Sequence, residues 1–286
     1  MNRIRRSMLF IPGNNPGMVQ NGDVFDSDAL IFDLEDSVAL EEKDAARELV
    51  KQALETFEFN AELIVRLSPL DSPFFEADIE ALKKLPINMI LLPKASVEGV
   101  KVLEKQLRGT NINIMVLIES ALGVEKVFDI LSTSERCLGL MLGGEDLCVD
   151  LNCKRTKSGQ ELLYARMRVV NAAKALNKFC IDTPFTDVND EEGLQKDAEF
   201  AKALGFDGKA AINPRQIITI NKVFSPSEHD IKHSLRILEA RDIATKEGKG
   251  VFAIDGKMVD LPIIKRAEYI IEVAKKLKLV SDNDED

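Results

Sequence analysis

No apolar stretch in this 286-residue chain approaches the ~18 to 20 residues that a membrane span requires, and the N-terminus lacks the long apolar region of a secretory signal. A soluble, cytoplasmic protein is expected. Positive charge is also short. The 38 Lys and Arg against 48 Asp and Glu leave a formal charge of −10, which argues against nucleic acid or an anionic membrane as the main partner, because either wants a basic face. The four cysteines (Cys137, Cys148, Cys153, Cys180) are too few for a disulfide framework and lack the paired spacing of a structural zinc site. The two histidines, His229 and His233, stand four apart on an expected helix with no third ligand nearby in sequence, and read as solvated surface groups. No Gly-x-Gly-x-x-Gly follows the first apolar run, which weakens a dinucleotide-binding open sheet.

What the chain does contain is 45% hydrophobic residues with both charge signs well mixed, enough for one large core. Short apolar segments alternate with longer amphipathic ones. Strands are expected at residues 7–11, 29–34, 62–67, 89–92, 114–118, 138–142, 178–181 and 208–212, and helices at 40–57, 73–85, 97–107, 162–177 and 191–204. Eight strands alternating with helices within about 215 residues fit a parallel (β/α)8 TIM barrel better than a doubly wound sheet. The expected division is a catalytic barrel over residues 1–225 and a C-terminal helical extension over 226–286 that packs on the barrel or on a neighbouring subunit. That extension holds two helical patterns, 227–246 and 261–277, around a turn or hairpin at 248–257, and ends in a tail, 281–286, expected to fray.

Three apolar runs end in carboxylates: Phe32-Asp33-Leu34-Glu35-Asp36, Leu117-Ile118-Glu119 and Gly143-Gly144-Glu145-Asp146. Buried strands should not finish on unpaired negative charge, so something positive belongs among them, a divalent metal first of all. Functional groups of a barrel gather at the carboxyl ends of its strands. Those ends offer Pro12-Gly13, Glu35-Asp36, Arg66, Lys94, Glu119, Glu145-Asp146, Asp182 and Asn213. Any single acid could instead be half of a structural ion pair, Glu35, Asp36, Glu145 and Asp182 included. A lysine such as Lys94 could form a Schiff base with a keto acid, but acids nearby would keep it charged and poorly nucleophilic.

The stretches Arg5-Arg6-Ser7-Met8-Leu9-Phe10-Ile11-Pro12-Gly13, Phe32-Asp33-Leu34-Glu35-Asp36-Ser37, Val65-Arg66-Leu67, Leu92-Pro93-Lys94, Ile118-Glu119-Ser120-Ala121, Gly143-Gly144-Glu145-Asp146-Leu147, Gly205-Phe206-Asp207-Gly208-Lys209 and Asp255-Gly256-Lys257-Met258-Val259-Asp260 appear in this order. Together they resemble the HpcH/HpaI aldolase and malyl-CoA lyase superfamily, in its citrate lyase beta branch, over nearly the whole chain. The resemblance implies a magnesium-dependent carbon–carbon lyase. It assigns Glu119 and Asp146 as Mg2+ ligands; Arg66, Glu119 and Arg6 as substrate contacts; and Glu35 and Asp36 as support for Arg66 and metal-bound water. Asp260 is implied as the proton-transfer residue, from its own or a neighbouring subunit, against the plainer reading of an N-cap for the helix that follows. Ile212-Asn213-Pro214 replaces the Ile-His-Pro of many superfamily members, which again resembles the citrate lyase branch, and Ser68 stands where relatives often have asparagine.

That branch implies cleavage of a citryl thioester, on an acyl carrier subunit or coenzyme A, to oxaloacetate and an acetyl thioester. It also implies a complex with alpha and gamma subunits, and a homo-oligomer, trimer or hexamer, in isolation. The alternatives are a related lyase acting on malyl-CoA or citramalyl-CoA, and a non-catalytic assembly subunit.

Overall fold

The computed structural model describes residues 3–246, 251–254 and 256–280, without the side chains of Phe252 and Lys257. Contacts divide the described residues into Arg5–Phe224 and a smaller unit that begins at Ser225 and also takes in Arg3 and Ile4.

The larger unit is a closed eight-stranded barrel: β1 (Ser7–Pro12), β2 (Ala29–Asp33), β3 (Glu62–Arg66), β4 (Met89–Leu92), β5 (Asn113–Ile118), β6 (Cys137–Leu142), β7 (Phe179–Asp182) and β8 (Gly208–Ala211). Every pairing is parallel, and β8 closes on β1 through Ser7 opposite Lys209. All eight expected strands form, with ends shifted by a residue at most. The period-2 alternation of a strand sorts their side chains into two concentric layers. Met8, Ile31, Ile64, Leu91, Met115 and Met141 fill the barrel. Leu9, Leu30, Val65, Ile90, Val116 and Leu140 face outward into the shell beneath the helices.

The long helices Lys43–Thr56, Val97–Gln106, Leu163–Ala175 and Glu191–Leu204 cover that shell. Ser96 and Asp190 cap two of them by accepting from the backbone N–H three residues on. Five short helices were not among the sequence expectations: Pro16–Asn21, Ala121–Glu125, Val127–Ser132, Gly144–Asp150 and Gln216–Phe224. Most span fewer than two turns, too little for a 3.6-residue period to register. The turn-rich Pro12–Gly17 segment in particular closes β1 and enters the first of them, with Asn15 as N-cap.

The amino ends of the strands are plugged. Arg5 binds Glu62 at 2.6 and 2.8 Å and lies 4.2 Å from the Phe179 ring. A Cβ on Gly208 would sit 2.0 Å from the Arg5 carbonyl oxygen, so only glycine fits there.

The smaller unit pairs helices Glu228–Lys246 and Leu261–Lys276 around a two-stranded antiparallel hairpin, Phe252–Ile254 with Lys257–Val259. Ile237, Val259, Ile264 and Ala267 form its core. Asp260 N-caps the second helix, its carboxylate accepting from the Ile263 N–H at 3.5 Å, with Pro262 in the first turn. Residues 248–250 and 255 of the expected turn, and the tail at 281–286, lie outside the described residues.

The outward face of β7 and β8 carries a buried ion cluster. Lys209 Nζ lies 2.6 Å from both Asp182 and Asp197, and Arg166 reaches the same two acids at 2.8 to 2.9 Å. Two cations and two anions cancel, and removing one partner strands a charge. Lys209→Met should therefore lower the unfolding free energy by ~3–5 kcal/mol in a urea titration. A change within ~0.5 kcal/mol, typical of surface sites, would show that the cluster does not hold the shell together.

Candidate active site

A cavity of about 430 Å³ opens at the carboxyl ends of the strands, lined by acids, one arginine and a few apolar side chains. Alternation decides which strand residues reach it. Counting inward positions along β2 gives Ala29, Ile31 and Asp33; along β3, Glu62, Ile64 and Arg66. Asp33 and Arg66 are register partners at the last inward positions of adjacent strands. They meet in a bidentate pair, Arg66 Nε and Nη2 each 2.7 Å from an Asp33 carboxylate oxygen. The remaining Asp33 lone pairs accept from the backbone N–H groups of Glu35 and Ser37 and from the Ser37 hydroxyl. Arg66 is thereby fixed with Nη1 left over, 2.9 Å from Glu35 Oε2 and 3.4 Å from Asp36 Oδ2, and with the Phe10 ring 5.0 Å from its guanidinium carbon.

Glu119 continues the inward parity of β5, through Met115 and Leu117, one residue beyond the strand end. Its Oε1 accepts the Lys94 backbone N–H at 2.6 Å. A Cβ on Gly143 would stand 2.6 Å from Glu119 Cβ and 2.9 Å from its Oε2, so glycine there is what leaves room for the carboxylate. Helix Gly144–Asp150 starts directly after β6 and holds Glu145 and Asp146 in its first turn. Its first N–H, from Gly144, donates to Thr183 Oγ1 at 2.9 Å. Glu119 and Asp146 both line the cavity, Glu119 buried and Asp146 half-buried.

The electrostatics show an excess of negative charge. Burial pushes Glu35 up to about 8, opposed by Arg66 and reinforced by Asp36, Glu119 and Asp33. Burial likewise lifts Glu119 to about 7, opposed by the Lys94 N–H and reinforced by Asp146. Asp33 is also buried, but its hydrogen bonds and charge pairing with Arg66 outweigh that and hold it below its ordinary value. Among the described residues Glu35 Oε2 has no hydrogen-bond partner, since its approach to Arg66 is close but off-axis. Such a site favours a cation. Among the described residues no cluster of three or more His, Cys, Asp or Glu forms a closed cage. Glu119 and Asp146 instead offer hard oxygens from two sides, the donor set of an ion that keeps open positions for water and substrate, as magnesium does.

The model of one family, described as HpcH/HpaI aldolase/citrate lyase, matches residues 6–214. The chain belongs to this family. It is 42% identical to the citrate lyase subunit beta of Leuconostoc mesenteroides subsp. cremoris, over 97% of this chain and 96% of that one. Among solved structures, it is similar to the CitE protein of Mycobacterium tuberculosis in complex with magnesium, acetoacetate and coenzyme A, at a TM-score of 0.80 and 29% identity over 95% of this chain and 98% of that one. A citrate lyase beta subunit from M. tuberculosis complexed with oxaloacetate and magnesium superposes with a TM-score of 0.69 at 29% identity, over 78% of this chain and 98% of that one.

Of the residues that the family resemblance singled out in the barrel, Arg66, Glu119, Asp146, Glu35 and Asp36 stand at one end of it, all but Glu35 on the cavity wall and Glu35 against Arg66. Arg6 does not. It precedes β1, so six residues, ~20 Å of extended chain, separate it from Pro12 at the cavity. Its side chain is bound to Asp28 at 2.7 and 2.9 Å, at the amino end of the barrel, and the expectation of a substrate contact is corrected. Asp182 also drops out. Its parity turns it outward into the Arg166–Lys209 cluster, the structural ion pair that was its plainer reading. Asn213 spends its side chain on the Arg215 N–H in a turn. Lys94 Nζ lies 3.9 Å from Glu35 Oε1 and is mostly exposed. Ser68 donates its backbone N–H to Asp78, while its hydroxyl has no hydrogen-bond partner among the described residues.

Asp33, the first acid of the Asp33-Leu34-Glu35-Asp36 stretch, is the cavity residue to which the sequence assigns no role. Strand parity carries the signal: an aspartate at the last inward position of β2, opposite an arginine at the last inward position of β3.

Both raised acids bind protons more tightly in the folded state than in the unfolded one, so their contribution to stability is complete below about pH 4.5 and is lost as pH rises through 7 to 8. The metal-free protein should lose melting temperature between about pH 4.5 and 8, and Glu119→Gln should remove the part lost between about pH 4.5 and 7. An equal slope in wild type and Glu119→Gln would show that Glu119 is not an uncompensated buried charge.

Proposed function

We propose that this chain is a magnesium-dependent carbon–carbon lyase that cleaves a citryl thioester to oxaloacetate and an acetyl thioester, as the beta subunit of a citrate lyase. The observation that carries the reading is the convergence of Arg66, Glu119 and Asp146 on one cavity at the carboxyl ends of the strands. The relatives that bind magnesium with oxaloacetate, or with acetoacetate and coenzyme A, support it.

Glu119 and Asp146 would hold the ion. When bound, magnesium supplies a Lewis acid that lowers the barrier to losing the substrate's hydroxyl proton. Arg66, clamped by Asp33 on one edge, presents Nη1 to a carboxylate or to an oxygen gaining charge; its pKa is raised by those carboxylates despite burial, so it stays cationic. The tertiary hydroxyl gives up its proton to solvent water at the open mouth of the cavity, the electron pair of its O–H bond becomes the second bond of the oxaloacetate ketone, and the broken carbon–carbon pair moves onto the thioester as an enolate. A proton delivered to the enolate carbon completes the acetyl thioester. Glu35 and Asp36 act on Arg66, from 2.9 and 3.4 Å, setting where its free edge points. On the family resemblance, Asp260 delivers the final proton, from its own or a neighbouring chain. The same reading makes alpha and gamma subunits and an acyl carrier, or coenzyme A, the partners, and a homo-oligomer the isolated state.

The test is release of oxaloacetate from citryl-CoA by the purified chain with magnesium, followed by coupled reduction to malate, with malyl-CoA and citramalyl-CoA in parallel. Activity on citryl-CoA that disappears with chelator and in Glu119→Ala is expected. Turnover of another thioester alone would change the substrate, and silence on all three would favour an assembly role or a required partner.

Asp260→Asn separates two duties of one residue, because asparagine caps a helix as well as aspartate but carries no proton. It should lower kcat by ~10² to 10⁴ at an unchanged melting temperature. Undiminished kcat would leave Asp260 with the cap alone.

A further inference from the structure

We propose that Lys94 is a positioning residue acting through its main chain: its left-handed backbone holds the Lys94 N–H against Glu119 Oε1 and so leaves the other Glu119 oxygen for the cation that would bind there. The inference rests on the magnesium reading above and adds a residue to it.

Three observations meet here. Lys94 has a φ of 46°, in a region that side chains other than glycine and asparagine enter at a cost. Such strain persists where the surroundings over-determine it. At Lys94 the return on that strain is visible, because the conformation brings the N–H to 2.6 Å from Glu119 Oε1, while the next residue, Ala95, donates to the Leu117 carbonyl at 3.2 Å and ties the same turn to β5. On the opposite side Gly143 leaves space beside the Glu119 carboxylate, with Oε2 the oxygen that a Cβ there would crowd. Main chain alone therefore selects which Glu119 oxygen is spent internally and which is left for a ligand. The Lys94 ammonium takes no part in this: it is mostly exposed and its nearest acid, Glu35 Oε1, is 3.9 Å away.

The prediction separates backbone from side chain. Lys94→Gly relaxes the left-handed conformation, Lys94→Met deletes the charge on a straight-chain side chain, and Lys94→Val opposes the conformation through its branched Cβ. Magnesium titrated calorimetrically into each protein should bind Lys94→Gly and Lys94→Met within about threefold of wild type, and Lys94→Val at least ~10-fold more weakly, the scale seen when a ligand's supporting hydrogen bond is lost. Equal weakening in all three would assign the effect to the ammonium and overturn the proposal, as would an unaffected Lys94→Val.

A second measurement does not depend on folding of the valine variant. In wild-type protein labelled at lysine with 15N, the Lys94 amide proton should lie far downfield, and Glu119→Gln should move it upfield. An amide resonance indifferent to Glu119→Gln would overturn the proposal even with magnesium binding intact. Wild-type protein that binds no magnesium would overturn the cation reading itself, a different failure from either of these.

Discussion

The Asp33–Arg66 pair is the constraint from which the site follows. An arginine at the last inward position of a barrel strand is buried, and a buried guanidinium persists only with its charge and its donors satisfied. Asp33 meets both needs because strand register sets it directly opposite, and it can do so because two backbone N–H groups and the Ser37 hydroxyl hold its own carboxylate. Once two of the three guanidinium nitrogens are engaged by Asp33, the third has a fixed direction. The acids beyond β2 surround that direction, and the Phe10 ring packs under it.

On the far wall the logic is reversed. Arg66 neutralises Asp33, but among the described residues Glu119 is bonded through a backbone N–H and by no cationic side chain, and it holds its proton more tightly than an ordinary carboxylate does, as Glu35 beside Arg66 also does. The Asp33–Arg66 pair is thus electrically complete, whereas the wall that carries Glu119 is not. A cation shared by Glu119 and Asp146 would complete it, and a substrate with a carboxylate at one end and a hydroxyl or carbonyl nearby would bridge the two walls.

Much of this could be read from the chain, because barrel strands are short apolar runs whose ends are marked by polar residues, and all eight lie where the runs lie. Arg66 and Glu119 were legible for the same reason: each is the first charged residue after an apolar run. Asp182 follows the same rule and fails, since position at a strand end does not tell inward from outward, and only the parity through Ile181 shows that it faces the helices. Arg6 misled because a motif that reads continuously into β1 begins at the opposite end of the barrel from the site. The bent backbone at Lys94 left no mark at all, as lysine is not a residue whose presence announces a positive φ. The short helix that carries Asp146 was invisible to periodicity, although its two leading acids were not.

Arg66 on one wall and a cation held by Glu119 and Asp146 on the other should bind one substrate between them. Calorimetric titration of oxaloacetate into the protein, with and without magnesium, tests it most directly, since binding of ion and oxo acid at a shared site must be mutually reinforcing. Tight oxaloacetate binding is expected only with magnesium present, and is expected to be abolished in Asp146→Asn and in Arg66→Lys. Equal affinity with and without the ion, or binding that survives both substitutions, would contradict it.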